Sequence, residues 1–221
     1  MVNKGFIPDK SDLMSIFQYM LEAYGPQDWW PGETAFEVMI GAILTQNTAW
    51  PNVEKAINNL KQAGIFSAIE LLNASDEELA QLIRPSGYFN IKADRLKQLC
   101  RFLQEQGGEQ ALRQQKTARL RKLLLSVKGI GPETADDILL YAFQRPVFVI
   151  DAYTRRIFSR LGIAAGEEPY EVLRMGFESA LEADVALFNE YHALIVCHAK
   201  QFCSKKPKCM GCPLATRCTI P

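Results

Sequence analysis

An all-α fold is predicted for this 221-residue chain by three observations. Apolar residues recur at helical spacing in almost every segment. Start and stop signals bracket those segments. Only Val147-Phe148-Val149-Ile150 reads as strand, and it is too short to build a sheet. There is no tandem repeat, low-complexity segment or long linker, so the helices should pack through short turns.

The first helix is expected over 11–24, where Leu13, Ile16, Phe17, Met20 and Leu21 share a face and Gly25 ends the pattern. Residues 33–46 are apolar nearly all round, the mark of a buried central helix. Pro51 suits the first turn of a helix running to Gly64. Ser75-Asp76-Glu77-Glu78 reads as a capping box opening a helix that stops before Pro85. Further helices are expected at 90–106, 117–127, 132–144, 152–161, 169–182 and 184–200.

Composition is that of an ordinary globular protein, with 48% hydrophobic and 23% charged residues. No apolar run approaches the ~20 residues a membrane span needs. The N-terminus has no apolar signal-peptide core, which favours a cytoplasmic protein. Nothing in the sequence signals oligomerisation, so a monomer is expected. Lysine plus arginine equal aspartate plus glutamate at 25 each, which alone argues against a nucleic-acid partner. Their distribution reverses that inference. Arg113, Lys116, Arg119, Arg121, Lys122 and Lys128 lie in an acid-free stretch, as do Lys200, Lys205, Lys206, Lys208 and Arg217. Much of the compensation sits between Glu167 and Glu190. A neutral total can hide a basic face, and the local field is what a polyanion meets.

Lys128-Gly129-Ile130-Gly131-Pro132-Glu133 forms a glycine hairpin before a helix start. Glycine lets another backbone approach, and Pro132 fits the first helical position, where its missing N–H is no loss. Backbone N–H groups at such a terminus suit an anion, and a DNA phosphate is the anion the basic segments suggest. Ile130 should anchor the hairpin in the core. Further on, Asp151 follows an apolar run and precedes an amphipathic segment, the position of an N-cap. A capping carboxylate accepts backbone N–H bonds that keep it ionised, and such a charge can stabilise a developing cation.

The tail reads Cys203-x5-Cys209-x2-Cys212-x5-Cys218. Four cysteines in so short a span, without secretion signals, point to metal rather than disulfides. Structural zinc usually takes two close C-x2-C pairs, and only one is present. Four thiolates around a [4Fe–4S] cluster fit better, with zinc as the alternative. Cys197 upstream leaves room for the ligand set to slip by one. Cys100 reads as a small buried hydrophobe. Lys205, Lys206 and Lys208 lie in the loop the cluster would tie, facing a phosphate backbone.

These motifs together resemble the helix-hairpin-helix, Gly-Pro-Asp signature of the endonuclease III superfamily of DNA glycosylases. The resemblance rests on VKGIGPETADDILLYAFQRPVFVIDAYTRR, on ILTQNTAWPNVEKA (43–56), on SGYFNIKADRL (86–96) and on the C-terminal cysteines, whose first gap is one residue shorter than the family's. It implies two α-helical lobes, one over 31–134 and one from 1–30 plus 135–221 with the cluster loop. The substrate would be double-stranded DNA carrying damaged bases. Asp151 would stabilise the oxocarbenium-like transition state and activate water.

Bifunctional members carry a nucleophilic lysine where this chain has Glu133. A carboxylate forms no Schiff base, so a monofunctional glycosylase is expected, with Glu133 orienting base or water and Lys128 gripping phosphate. Trp29, Trp30 and Pro31, with the TQNT loop, resemble the 3-methyladenine glycosylase branch, in which an aromatic residue and a proline sandwich the base. An alkylated purine is cationic and suits an aromatic face. Gln46, Asn47 and Tyr88 match the positions that fill the hole left by a flipped nucleotide. Two alternatives remain at this stage: an oxidised-pyrimidine glycosylase with lyase activity, and a non-enzymatic helix-hairpin-helix DNA-binding protein.

Overall fold

The computed structural model describes residues 6–29 and 32–219, and all regular structure among them is helical. Twelve α-helices follow in order: α1 Lys10–Tyr24, α2 Ala35–Leu44, α3 Trp50–Gln62, α4 Ala68–Asn73, α5 Asp76–Leu82, α6 Phe89–Glu105, α7 Gly108–Arg113, α8 Thr117–Leu125, α9 Pro132–Asp137, α10 Ala152–Arg160, α11 Tyr170–Ala180 and α12 Val185–Gln201. Two compact units result. One comprises Met1–Trp29 with Pro146–Pro221, the other Trp30–Arg145. The division falls after Arg145 instead of after 134, because α9 continues through a π-turn, Ile138–Ala142, that packs on α2 and α8.

In the Trp30–Arg145 unit, α2 is the central helix that its all-round apolarity predicts. Val38, Met39, Ile40, Ile43 and Leu44 are buried, and Thr34 caps its start. Glu37 is buried beside them and is held by Lys61 at 2.9 Å. Ser75 Oγ accepts from the Glu78 amide, one half of the predicted capping box. Helices α4 and α7, six residues each, carry too few turns to show a period.

The other unit is built on aromatic packing. Phe148 stacks on Phe177 with centroids 4.5 Å apart, and Phe188 and Tyr191 meet Phe148 edge-on. The buried Tyr191 hydroxyl donates to Leu13 O at 2.7 Å, pinning α1 to α12. Val147–Ile150 is not a strand. The four residues are buried in irregular chain, and side chains substitute for a ladder: Phe148 N donates to Glu178 Oε1 and Ile150 N to the Tyr170 hydroxyl.

Candidate active site

Asp151 is the N-cap of α10. Its Oδ1 accepts from the Thr154 amide at 2.6 Å and from the Thr154 hydroxyl at 2.8 Å. Its Oδ2 lies 3.7 Å from His192 Nε2, and the side chain retains 14% exposure. Burial pushes the carboxyl pKa up. His192, the helix amide and the Thr154 hydroxyl outweigh that effect and hold it below its ordinary value. One oxygen is thus spent on the helix terminus while the group stays charged.

His192, on α12, is a neighbour of Asp151 that the sequence did not point to. Its ring stacks on Trp29 at 5.8 Å and 26°. Trp29, His192 and Asp151 therefore form one sequence of contacts within one unit. Trp30 and Pro31, the other predicted base-pocket residues, lie outside the described residues.

The predicted DNA-contacting residues of the other unit fall into two sets. In the hairpin, Ile130 is buried as expected, and Gly129 takes φ of 92°. A Cβ there would meet Arg95 Cγ at 2.5 Å in a left-handed backbone conformation, so any larger residue is strained. Gly131 has extended backbone and open space around it. Lys128 is exposed and meets Asp94 at 3.2 Å. Glu133 is exposed in the first turn of α9. Behind the hairpin, Arg121 forms a two-pronged pair with the fully buried Asp136, at 2.6 and 3.0 Å, tying α8 to α9.

The second set is the loop pair. Gln46 is not a free tip. Its Nε2 donates to Gly129 O and Thr134 Oγ1, and Arg95 donates to its Oε1, so it fastens the loop to the hairpin. Asn47 and Tyr88 are exposed, with positive φ of 55° and 46°. Gly87 before Tyr88 has φ of 66°.

All four tail cysteines line one pocket, together with Ile157, Leu161, His198, Phe202 and Leu214. Among the described residues no three Cys, His, Asp or Glu side chains surround a single ion position. Cys197 does not line this pocket and accepts from Gln201 Nε2. Cys100 is buried, and burial pushes its thiol up to about 12, an inert group. Two arginines of α10 hold the loop: Arg156 Nε donates to Cys203 O at 2.7 Å, and Arg160 Nη1 to Cys203 Sγ and Ser204 O. Lys205, Lys206 and Lys208 are exposed on it. No helix among the described residues is long and apolar enough to cross a membrane.

Comparisons with known proteins place the chain in a family. Residues 40–182 match the model of the HhH-GPD superfamily base excision DNA repair proteins. A protein of Methanocaldococcus jannaschii, assigned by name as a DNA repair glycosylase, is 48% identical over 93% of this chain and 95% of its own length. Endonuclease III of Thermotoga maritima is 29% identical over 83% of this chain and 82% of its own. Among solved structures, the H. pylori 3-methyladenine DNA glycosylase MagIII bound to 1,N6-ethenoadenine matches with a TM-score of 0.75 and 32% identity, over 87% of this chain and 98% of that one. An endonuclease III–DNA complex matches in fold, with a TM-score of 0.81 at 20% identity over 95% of each chain.

Proposed function

Since this chain belongs to the HhH-GPD superfamily of base excision DNA repair proteins and is a DNA glycosylase, we propose that it is monofunctional and releases alkylated purines such as 3-methyladenine from duplex DNA. The observation that carries this reading is the contact sequence Trp29–His192–Asp151, an aromatic face leading to a carboxylate held ionised. An alkylated purine is already a good leaving group. The enzyme then needs a fixed negative charge near the sugar more than it needs a strong acid. Asp151 supplies that charge and orients the attacking water. Trp29, with Trp30 and Pro31 beside it in sequence, receives the cationic base. Attraction between a cation and an indole face contributes about 0.5–2 kcal/mol. Likeness to MagIII supports the substrate class.

Glu133 stands where lyase members place their nucleophilic lysine, so this chain leaves the strand intact. It acts instead on base or water orientation. Asn47 and Tyr88 enter the space the base leaves, while Gln46 holds their loop to the hairpin. Lys128, Gly129 and Gly131 grip phosphate, as do Lys205, Lys206 and Lys208. Cys203, Cys209, Cys212 and Cys218 hold a [4Fe–4S] cluster, which when bound ties the lysine loop into one shape. Brown protein containing iron and sulfide supports this; colourless protein with zinc refutes it.

The relatives named endonuclease III favour a second reading, a pyrimidine glycosylase with lyase activity. One assay separates the two. Duplexes with single lesions are incubated with the protein and base release is followed with and without alkali. Release of alkylated purine, with strand breaks only after alkali, supports the first reading. Breaks without alkali, or an adduct trapped by borohydride, support the second.

A further inference from the structure

Lys92 lies in the first turn of α6 and is 1% exposed, yet its ammonium group is fully engaged. Nζ donates to Leu44 O at the end of α2 at 2.7 Å, to Thr48 Oγ1 at 2.7 Å and to Ser86 O at 2.8 Å. Three donors meet three acceptors, which is the whole capacity of an ammonium. The Thr48 hydroxyl also donates to Ser86 O at 2.5 Å. The backbone amide of Lys92 in turn donates to Tyr88 O at 3.0 Å. One side chain therefore ties together the end of α2, the 45–49 loop and the 84–88 turn. Burial is costly for this charge and pushes the amine down to about 8, with a smaller contribution from Arg95.

The tied segments are those that display Asn47 and Tyr88. Both are non-glycine residues in the left-handed region, a conformation costing on the order of 1–3 kcal/mol each. Such residues persist only where their surroundings over-determine them. Neither side chain is buried, so the constraint comes from the backbone beneath them, and Lys92 is the group that binds it on both sides. We propose that Lys92 is a positioning residue that fixes the spacing of the Asn47 and Tyr88 tips, so that both can enter the duplex together when the damaged base leaves. This rests on the reading of those tips given above.

The test compares single-turnover base release from two duplexes that differ only opposite the alkylated purine. One carries the normal partner base. The other carries an abasic site there, where filling the vacated space matters least. Lys92→Met should slow release from the fully paired duplex by about tenfold or more, and from the abasic duplex by less than about threefold. Equal slowing on both duplexes would reduce Lys92 to general core support, and no slowing on either would remove its role; both results overturn the proposal. Thr48→Val keeps two of the three ammonium bonds, so it covers the case in which Lys92→Met does not fold. It should show the same selectivity at about two- to threefold. Asn47→Ala with Tyr88→Ala is the control for the underlying reading. If this pair leaves the paired duplex unaffected, the tips do not fill the gap and the proposal falls with them. If the pair is selective but neither Lys92→Met nor Thr48→Val is, only the clamp is wrong.

Discussion

Asp136 and Asp151 are two sheltered aspartates of neighbouring segments, one in each compact unit, and they are held in opposite ways. Asp136 has no exposed side-chain surface, and Arg121 engages both of its oxygens. Asp151 keeps 14% exposure and commits Oδ1 to a helix terminus, while Oδ2 faces His192. A carboxylate paired on both oxygens serves to hold elements together. One fixed by a single oxygen is oriented and still has an edge to offer a reacting sugar. Burial alone does not distinguish the two acids; the use of the second oxygen does.

The largest effect should come from Asp151→Asn. It keeps the shape and removes the charge, so the single-turnover rate should fall by about 10^2–10^4-fold while affinity for an abasic-site duplex stays within about threefold. Equal loss of affinity would make the residue structural and erase the contrast. The pH profile sharpens the same point. The carboxyl pKa lies below its ordinary value, so the ionised form, the one proposed to act, persists as pH falls through the usual carboxylate range near 3.9. The rate should decline only below that range, and any stability the group contributes is lost over the same descent through its folded pKa.

Asp136→Asn should do the reverse. Breaking a buried two-pronged ion pair should cost roughly 3–5 kcal/mol of stability by denaturant titration. Folded protein at low temperature should still turn over. Next in size is Gly129→Ala, which meets both a positive φ and the Arg95 side chain. Loss of about 1–3 kcal/mol of stability is expected, with weaker binding to undamaged duplex. Smallest are single changes of Lys205, Lys206 or Lys208 to alanine. Each should lower the slope of log affinity against log salt by about 0.9 with base-release rates at saturating DNA unchanged.

Much of this was legible in the sequence where physics is local. Long helices announce themselves through periodic apolar faces, so α1, α3, α6 and α12 lie within a few residues of their expected spans. Asp151 was recognisable because an N-cap is a matter of adjacent residues. The tail cysteines were recognisable because their pattern is covalent spacing. What escaped depends on tertiary neighbours. Val147–Ile150 has strand composition, but Glu178 and Tyr170 satisfy its amides from α11. The π-turn at Ile138–Ala142 reads in sequence as continued α-helix. The contacts of the Gln46 side chain with Gly129, Thr134 and Arg95 were not legible either, because those partners lie far along the chain. His192 is one polar residue within a largely buried helix, and nothing near it in sequence marks its approach to Asp151.

Helix α10 begins at the carboxylate that Thr154 fixes and ends at Arg160, whose guanidinium grasps the cysteine segment and whose carbonyl accepts from Thr219. Nine helical residues make a rod about 14 Å long, too short to flex appreciably. A tug on the tail is thus a tug on the charged group at the rod's far end. Unwinding the last twenty residues by proteolysis or denaturant should therefore silence the enzyme before the aromatic interior melts.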